Sequence, residues 1–454
     1  MDSILKLVYD NWRDTGGCLP NGRHHMINEL LKSNTSVFLH DAQEAVQQQV
    51  EGNICLFDHS NFAGYVTQHS EIVNVEQITE DDAVYIWPLE IRTSVESVCQ
   101  THCFIINGVR VEYSIKDTIS PKLLHLMALG KVKIVINYSH DPIDQMNVLK
   151  NIEDYFNILG IHGSNVIIVP GNDCSIEYKN YHPEGQLRIS PLKLLMCHDM
   201  AKNIQSFPRV TSLGYTSDIM RESDLMIGNI RPKKFLCLNR TMRPHRYALA
   251  YFALKLNLLE NSVFSFLNKG NYTTDSILND LTFFGISDNV ISNKIMELIP
   301  YQLDTHHLSD NERCGFNSAN SDKTWFSNTY IHITSETRFS NGSTPFVSEK
   351  TFRPIANLQP FIMVGNYHSL RYLKELGFKT FTPFIDESYD DETDYRIRIR
   401  KIYSEIERLN NLSIQEIHDW YYSITEVLLH NQKRLLDFST MNPYQETIDY
   451  LKNF

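Results

Sequence analysis

The chain has no apolar run long enough to cross a membrane. A spanning helix needs about 18–20 consecutive apolar residues, and runs such as Val166–Val169 and Phe361–Val364 are only strand length. Cysteine is scarce, with 8 in 454 residues. So few cannot frame a disulfide scaffold, and a reducing, cytoplasmic compartment is expected. The first residues, MDSILKLVYDNW, lack a basic stretch followed by an apolar block, so no secretory signal is expected. Positive charge is in deficit: 42 Lys and Arg stand against 54 Asp and Glu, a net charge of −12. That balance disfavours a surface given over to nucleic-acid phosphates, while leaving room for a local basic groove.

What is present is ordinary globular composition, 42% hydrophobic and 21% charged, without repeats or low-complexity segments. Short apolar runs alternate with amphipathic, helix-like stretches, the pattern of an α/β protein with largely parallel sheets. In the first half the expected strands are 36–39, 52–58, 83–88, 103–109, 131–137 and 165–170. The last two flank a helical stretch over 145–159 and make a βαβ unit. The second half restarts with a strand over 234–239, followed by a one-faced amphipathic helix from about His245 to Leu256. A polar region then runs to Asn328, before strands over 330–334 and 361–364 and a helical tail from Asp394. The expected division is 1–230, 231–400 and a tail over 401–454.

Two constellations carry candidate chemistry. The first, KKFLCLNRTMRPHR over 233–246, holds Lys233, Lys234, Arg240, Arg243 and Arg246 and no acid. A strand delivers the chain to Asn239, and Pro244 suits the first turn of the next helix, with His245 and Arg246 behind it. A helix start favours an anion, and arginine forks match phosphate oxygens. The bland alternative is a solvated basic loop. The second constellation spans 334–365: a strand ends at Ser335-Glu336, and Ser348 is a good N-cap that puts Glu349 and Lys350 in the first helical turn. A carboxylate there can accept two ribose hydroxyls, and a lysine can reach a phosphate. Glu349 alone is equally well a dipole complement. Pro354 should shorten this helix.

The stretch SEKTFRPIANLQPFIMVGNYHSLRYLKELGFKTF resembles the nucleotide-sugar-binding half of GT-B glycosyltransferases of the fucosyltransferase and exostosin-like type. The order of Asn239–Arg246, Ser335–Thr337, Glu349–Thr351 and Asp386–Asp390 is similar to glycosyltransferase-like proteins of phages and large viruses. The resemblance covers about 235–400. It implies a GT-B fold: two Rossmann-like domains facing across a cleft, with C-terminal helices returning to the first. It implies a nucleoside-diphosphate sugar as donor and no cofactor or metal. In that frame Glu349 binds the ribose and Lys350 the diphosphate. Arg240 and Arg246 offset leaving-group charge, and Ser335, Glu336 and Ser348 line the pocket.

An inverting transfer needs a general base. Asp141 is the first candidate, with His140 and Asp144 beside it, just past the strand over 131–137. For Asp141 a turn or N-cap role is an equal alternative. Glu90 is a further candidate, while the Asp173 carboxyl could instead hydrogen-bond an acceptor. The acceptor is a saccharide hydroxyl or, as a second option, a hydroxylated DNA base, for which Lys122, Lys131, Lys133, Lys179 and Arg188 are the available cations. A non-catalytic nucleotide-binding module is the rival of another class. Asp390, Asp391 and Asp394 are expected in a solvated acidic loop. Cys99, His102 and Cys103 lack a second ligand pair for zinc, and His306-His307 is expected at the surface.

Overall fold

A computed structural model describes residues 5–9, 70–79, 85–90, 98–99, 102–106, 109–113, 116, 119–138, 143, 145–171, 174–190, 219–226, 228–239, 242–266, 273–287, 289–299, 301, 323–340, 345–441 and 449–451. The chain is α/β, built on two parallel sheets. It divides into two compact units, Met1–Met196 with Asn442–Phe454, and Cys197–Met441.

Unit 1 carries β1 (Leu5–Tyr9), β2 (Ser70–Asn74), β3 (Tyr85–Glu90), β4 (His102–Ile106), β5 (Val109–Tyr113), β6 (Val132–Tyr138), β7 (Val166–Pro170) and β8 (Arg188–Ile189). Its six-stranded sheet runs β2-β1-β3-β6-β7-β8, every pairing parallel. Helix α1 (Pro121–Ala128) starts where the Ser120 hydroxyl accepts the Leu123 N–H and proline occupies the first turn. Helix α2 (Met146–Ile158) joins β6 to β7, the βαβ unit expected from the sequence, and α3 (Ser175–Tyr181) precedes β8. The expected strands over 36–39 and 52–58 lie outside the described residues. One expected strand, 103–109, is two: β4 and β5 pair antiparallel from His102↔Tyr113 to Ile106↔Val109. Between them the sequence reads Asn107-Gly108, a dipeptide suited to a two-residue hairpin connection.

The core of unit 1 gathers Ile134, Ile136, Ile152, Phe156 and Ile168 around the β6–α2–β7 crossover. One carboxylate is buried behind it. Glu153 of α2 accepts hydrogen bonds from the Tyr178 hydroxyl and the Gln186 N–H (2.6 Å), with His182 at 3.5 Å. This pins α2 to the α3–β8 connection. Glu153→Gln leaves one donor facing an amide N–H and is expected to lower stability by about 1–2 kcal/mol in urea unfolding. A loss under about 0.5 kcal/mol would show that the pin contributes nothing beyond a surface contact.

Unit 2 carries β9 (Lys233–Asn239), β10 (Ser262–Phe266), β11 (Thr329–Ser335) and β12 (Phe361–Val364) in the order β10-β9-β11-β12, again parallel. Helices α4 (Pro244–Lys255), α5 (Thr274–Phe283), α6 (Asn289–Leu298), α7 (Glu349–Ala356) and α8 (Ser369–Glu375) connect or flank the strands. Helices α9 (Tyr395–Asn411), α10 (Ile414–Ser423) and α11 (Thr425–Thr440) follow. Strand β10 and helices α5 and α6 fall in the stretch read as polar. Helix α4 is buried at every position from His245 to Ala253 rather than along one face, because α5 and α6 also pack on it.

The boundary expected at 230/231 lies at 196/197, and 401–454 is not a separate tail. Side chains explain both. Arg231 donates to the Phe326 and Thr329 carbonyls and to the Tyr421 hydroxyl of α10. Lys234 Nζ donates to the carbonyls of Asn410 (2.6 Å) and Leu412 (2.7 Å), and Gln432 of α11 reaches those of Met220 (2.7 Å) and Ala356 (2.6 Å). The long helices are therefore part of unit 2, and only the segment after Met441 joins unit 1. No helix among the described residues is long and apolar enough to cross a membrane.

Candidate donor site

In unit 2 the chain steps from β9 outward to β10, then returns to the other side of β9 for β11 and β12. The order therefore reverses between β9 and β11. In open α/β sheets, ligands bind in the crevice outside the carboxyl ends of the two strands at such a reversal. Those ends are Asn239 on β9 and Ser335, followed by Glu336, on β11.

Asn239 is buried. Its N–H donates to Ser265 Oγ (3.2 Å) and its Nδ2 to Cys237 Sγ (3.1 Å), while Oδ1 has no partner among the described residues. Arg243 is the N-cap of α4 and Pro244 its first residue, with no side chain closing the cap. His245 and Arg246 then turn back onto β11. His245 Nε2 lies 3.0 Å from the Glu336 carbonyl. A carbonyl only accepts, so Nε2 carries the proton. Burial, and then the charge of Arg246, holds this imidazole far below its usual range, so it is neutral. Its ring stacks on Phe339, with centroids 5.6 Å apart.

Arg246 is equally enclosed. Its Nε donates to Ser335 Oγ, and its Nη2 to the carbonyls of Ser335 and Glu336, each at 3.1 Å. Burial, followed by the neighbouring Arg243, lowers the guanidinium to about 10. It is charged at neutral pH, a fixed cation at the edge of the sheet.

Opposite stands the first turn of α7, opened by Ser348 as expected: its hydroxyl accepts the Lys350 N–H (3.3 Å). Glu349 and Lys350 form an ion pair of 2.5 Å, with Lys350 24% and Glu349 25% exposed. With Arg243, these are the partly exposed side chains of the cluster. Burial would raise the Glu349 carboxyl, but Lys350 and Arg353 outweigh it and hold the group below the usual carboxylate range. The Glu336 carboxylate is fully buried and accepts from the Ser348 N–H (3.0 Å), the Ser348 hydroxyl (2.5 Å) and the Thr351 hydroxyl (2.5 Å).

The structure thus brings together Asn239, Arg243, His245, Arg246, Ser335, Glu336, Ser348, Glu349 and Lys350. Arg240 lies outside the described residues, as do Asp141, His140, Asp144 and Asp173. Strand β6, which leads to the first three of these unit 1 candidates, is in place beside β3. Glu90 ends β3, next to β1, where the strand order of unit 1 reverses.

Three residues that sequence reasoning passed over complete the site's frame. Thr351 bonds Glu336, and Phe339 backs His245. Asn366, just past β12, accepts from the Ser340 N–H (3.0 Å). Thr351 lay in the Glu349–Thr351 motif, Phe339 in the 334–365 constellation and Asn366 in the stretch from Ser348, but nothing in their spacing announced their partners. The acidic segment is a loop with Asp391 and Asp394 exposed, as expected, and Asp390 is the exception. Asp390 is buried and accepts the N–H groups of Leu370 (2.9 Å) and Arg371 (3.0 Å) at the start of α8, and Asp394 caps α9. Among the described residues no three His, Cys, Asp or Glu converge as metal ligands. Burial, then Asp154, pushes the Cys99 thiol up to about 12. His306-His307 lies outside the described residues.

No protein-family model matches the chain, and no curated protein matches it. Among solved structures it is similar to the DNA-modifying enzyme β-glucosyltransferase, determined with and without its substrate uridine diphosphoglucose. The two share 7% identity at a TM-score of 0.35, over 98% of this chain and 100% of that one. So distant a likeness carries no argument, and the candidate site is described from this chain's own residues.

Proposed function

We propose that the chain is a glycosyltransferase that moves a sugar from a nucleoside-diphosphate sugar to a hydroxyl acceptor, with the donor at the β9/β11 edge of unit 2. The supporting observation is the meeting of three distant segments, 239–246, 335–336 and 348–350, at one strand-order reversal. Arg246 and Lys350 supply positive charge where a departing diphosphate gathers negative charge. Such cations stabilise the transition state more than the ground state, the work a divalent metal does elsewhere. Arg240, next in sequence after Asn239, is the third cation proposed for this role. The open carboxylate of Glu349 accepts the paired hydroxyls of a ribose. Unit 1 supplies the acceptor site, for a saccharide or a hydroxylated DNA base, and a general base drawn from Asp141, His140 and Asp144.

A thermal-shift panel of nucleoside diphosphates and their sugars tests the donor site. A ligand at ten times its Kd adds about 1.4 kcal/mol to the native state. One nucleotide should stabilise the chain, and Lys350→Ala should weaken its binding about tenfold, the loss of one charge-assisted contact. Slow release of free sugar from the matching sugar nucleotide should accompany binding. Stabilisation with no turnover, with or without acceptors, would mean a nucleotide-binding module. No shift with any nucleotide would end the proposal.

A further inference from the structure

Glu336 occupies an unusual place. Its sequence context, directly after a strand and between Ser335 and Thr337, marks it for the ligand pocket. Its carboxylate, however, is fully buried, and both oxygens are engaged by α7. Oε1 takes the Ser348 N–H and the Thr351 hydroxyl, and Oε2 takes the Ser348 hydroxyl. A carboxylate only accepts, so the Ser348 proton must point to Glu336. The lone pairs of Ser348 Oγ then face the other way. There Lys350 meets them twice, through its N–H (3.3 Å) and its ammonium (3.3 Å).

The backbone of Glu336 has a separate task. Its carbonyl receives His245 and Arg246 from the start of α4, and its N–H donates to the Val364 carbonyl (2.9 Å) at the end of β12. One residue therefore joins the ends of β11 and β12 to the first turns of two helices. The negative charge at the start of α7 also complements that helix's dipole.

We propose that Glu336 is a positioning residue, whose buried carboxylate sets the Ser348 hydroxyl and through it the placement of Lys350, and that it makes no contact of its own with sugar or phosphate. This rests on the donor-site reading above for what Lys350 binds, but not for how α7 is held. Glu336→Gln keeps the volume and replaces one acceptor oxygen with a donor. In the Oε2 place that donor no longer directs the Ser348 proton, and in the Oε1 place it opposes the Ser348 N–H and leaves the Thr351 hydroxyl without its acceptor.

The test pairs two readouts on the full chain. Hydrogen exchange followed by mass spectrometry reports α7 directly. In Glu336→Gln the amides of 348–351 should exchange at least about tenfold faster, while those of β9 and β11 stay unchanged. Binding of free nucleoside diphosphate and of its sugar conjugate should weaken by the same factor, about tenfold, with no further loss on the Lys350→Ala background. Ser348→Ala should reproduce the binding loss, and it serves as the second variant should Glu336→Gln fail to fold. Unchanged exchange over 348–351 would overturn the proposal. So would weakened binding of the sugar conjugate alone, which marks a direct sugar contact, or full additivity with Lys350→Ala. A wild-type chain that binds no nucleotide would refute the donor site, while the exchange result would still decide whether Glu336 holds α7.

Discussion

Arg231→Met is expected to cost unit 2 about 2–4 kcal/mol, from the hydrogen bonds and ring contacts of one buried guanidinium. The guanidinium is buried beneath α10 and meets no carboxylate among its hydrogen bonds. It donates to the Phe326 carbonyl (3.1 Å), the Thr329 carbonyl (2.7 Å) and the Tyr421 hydroxyl (2.5 Å). Its central carbon lies 4.1 Å from the Tyr421 ring centre and 5.5 Å from that of Tyr330. Methionine fills most of the volume but removes one donor from each oxygen. The Thr329 carbonyl keeps Gln359 Nε2 (3.0 Å) and the Tyr421 hydroxyl keeps its own bond to the Leu358 carbonyl (2.8 Å). The Phe326 carbonyl therefore carries the about 1–3 kcal/mol of an unmet buried acceptor. Arg231→Lys should recover less than half of the loss, since an ammonium cannot serve three separated oxygens and stack on a ring. Urea unfolding, with hydrogen exchange over α10, measures both. A loss below about 1 kcal/mol for Arg231→Met would show that the network contributes no more than one ordinary hydrogen bond.

The second large effect is acid sensitivity between pH 8 and pH 5. His332, in the middle of β11, is buried against Phe326, and burial followed by the charge of Arg353 lowers its imidazole to about 3. The unfolded chain binds a proton at this residue near pH 6.5, whereas the folded chain does not. Below that pH the unfolded state holds more protons, so stability falls as pH falls. The single site accounts for about 2 kcal/mol lost by pH 5. His245, also held neutral, acts in the same direction. His332→Phe keeps the stacking and removes the titration. Its urea midpoint should fall less between pH 8 and pH 5 than that of the wild type. An equal fall in both would assign the acid sensitivity elsewhere.

Much of unit 2 was legible because its strands are short and largely apolar, with β11 and β12 buried throughout. FIMV matches β12 residue for residue, and Ser348 opens α7 as its type predicts. SVFSF escaped notice because two serines dilute a five-residue edge strand flanked by polar chain. Helix α4 misled for a different reason. Its alanines and tyrosines face a sheet on one side and α5 and α6 on others, so no single stripe marks the buried face. In the site, residue types could be read but not their partners. Arg246 meets Ser335 across 89 positions, and Glu336 meets Thr351 across 15. A sequence names the side chains that suit a diphosphate. Only the strand order decides which of them reach the crevice and which become its frame.

Unit 1 is interrupted: it contains Met1–Met196 and then nothing until Asn442. On the ribosome, at roughly 5–20 residues per second, about 12–50 s separate synthesis of its two parts. Throughout that interval unit 2 can finish while unit 1 still lacks its closing segment. Residues 442–454 are thus made after the whole of unit 2, and a chain cut short after Met441 would carry a whole second unit and an unfinished first.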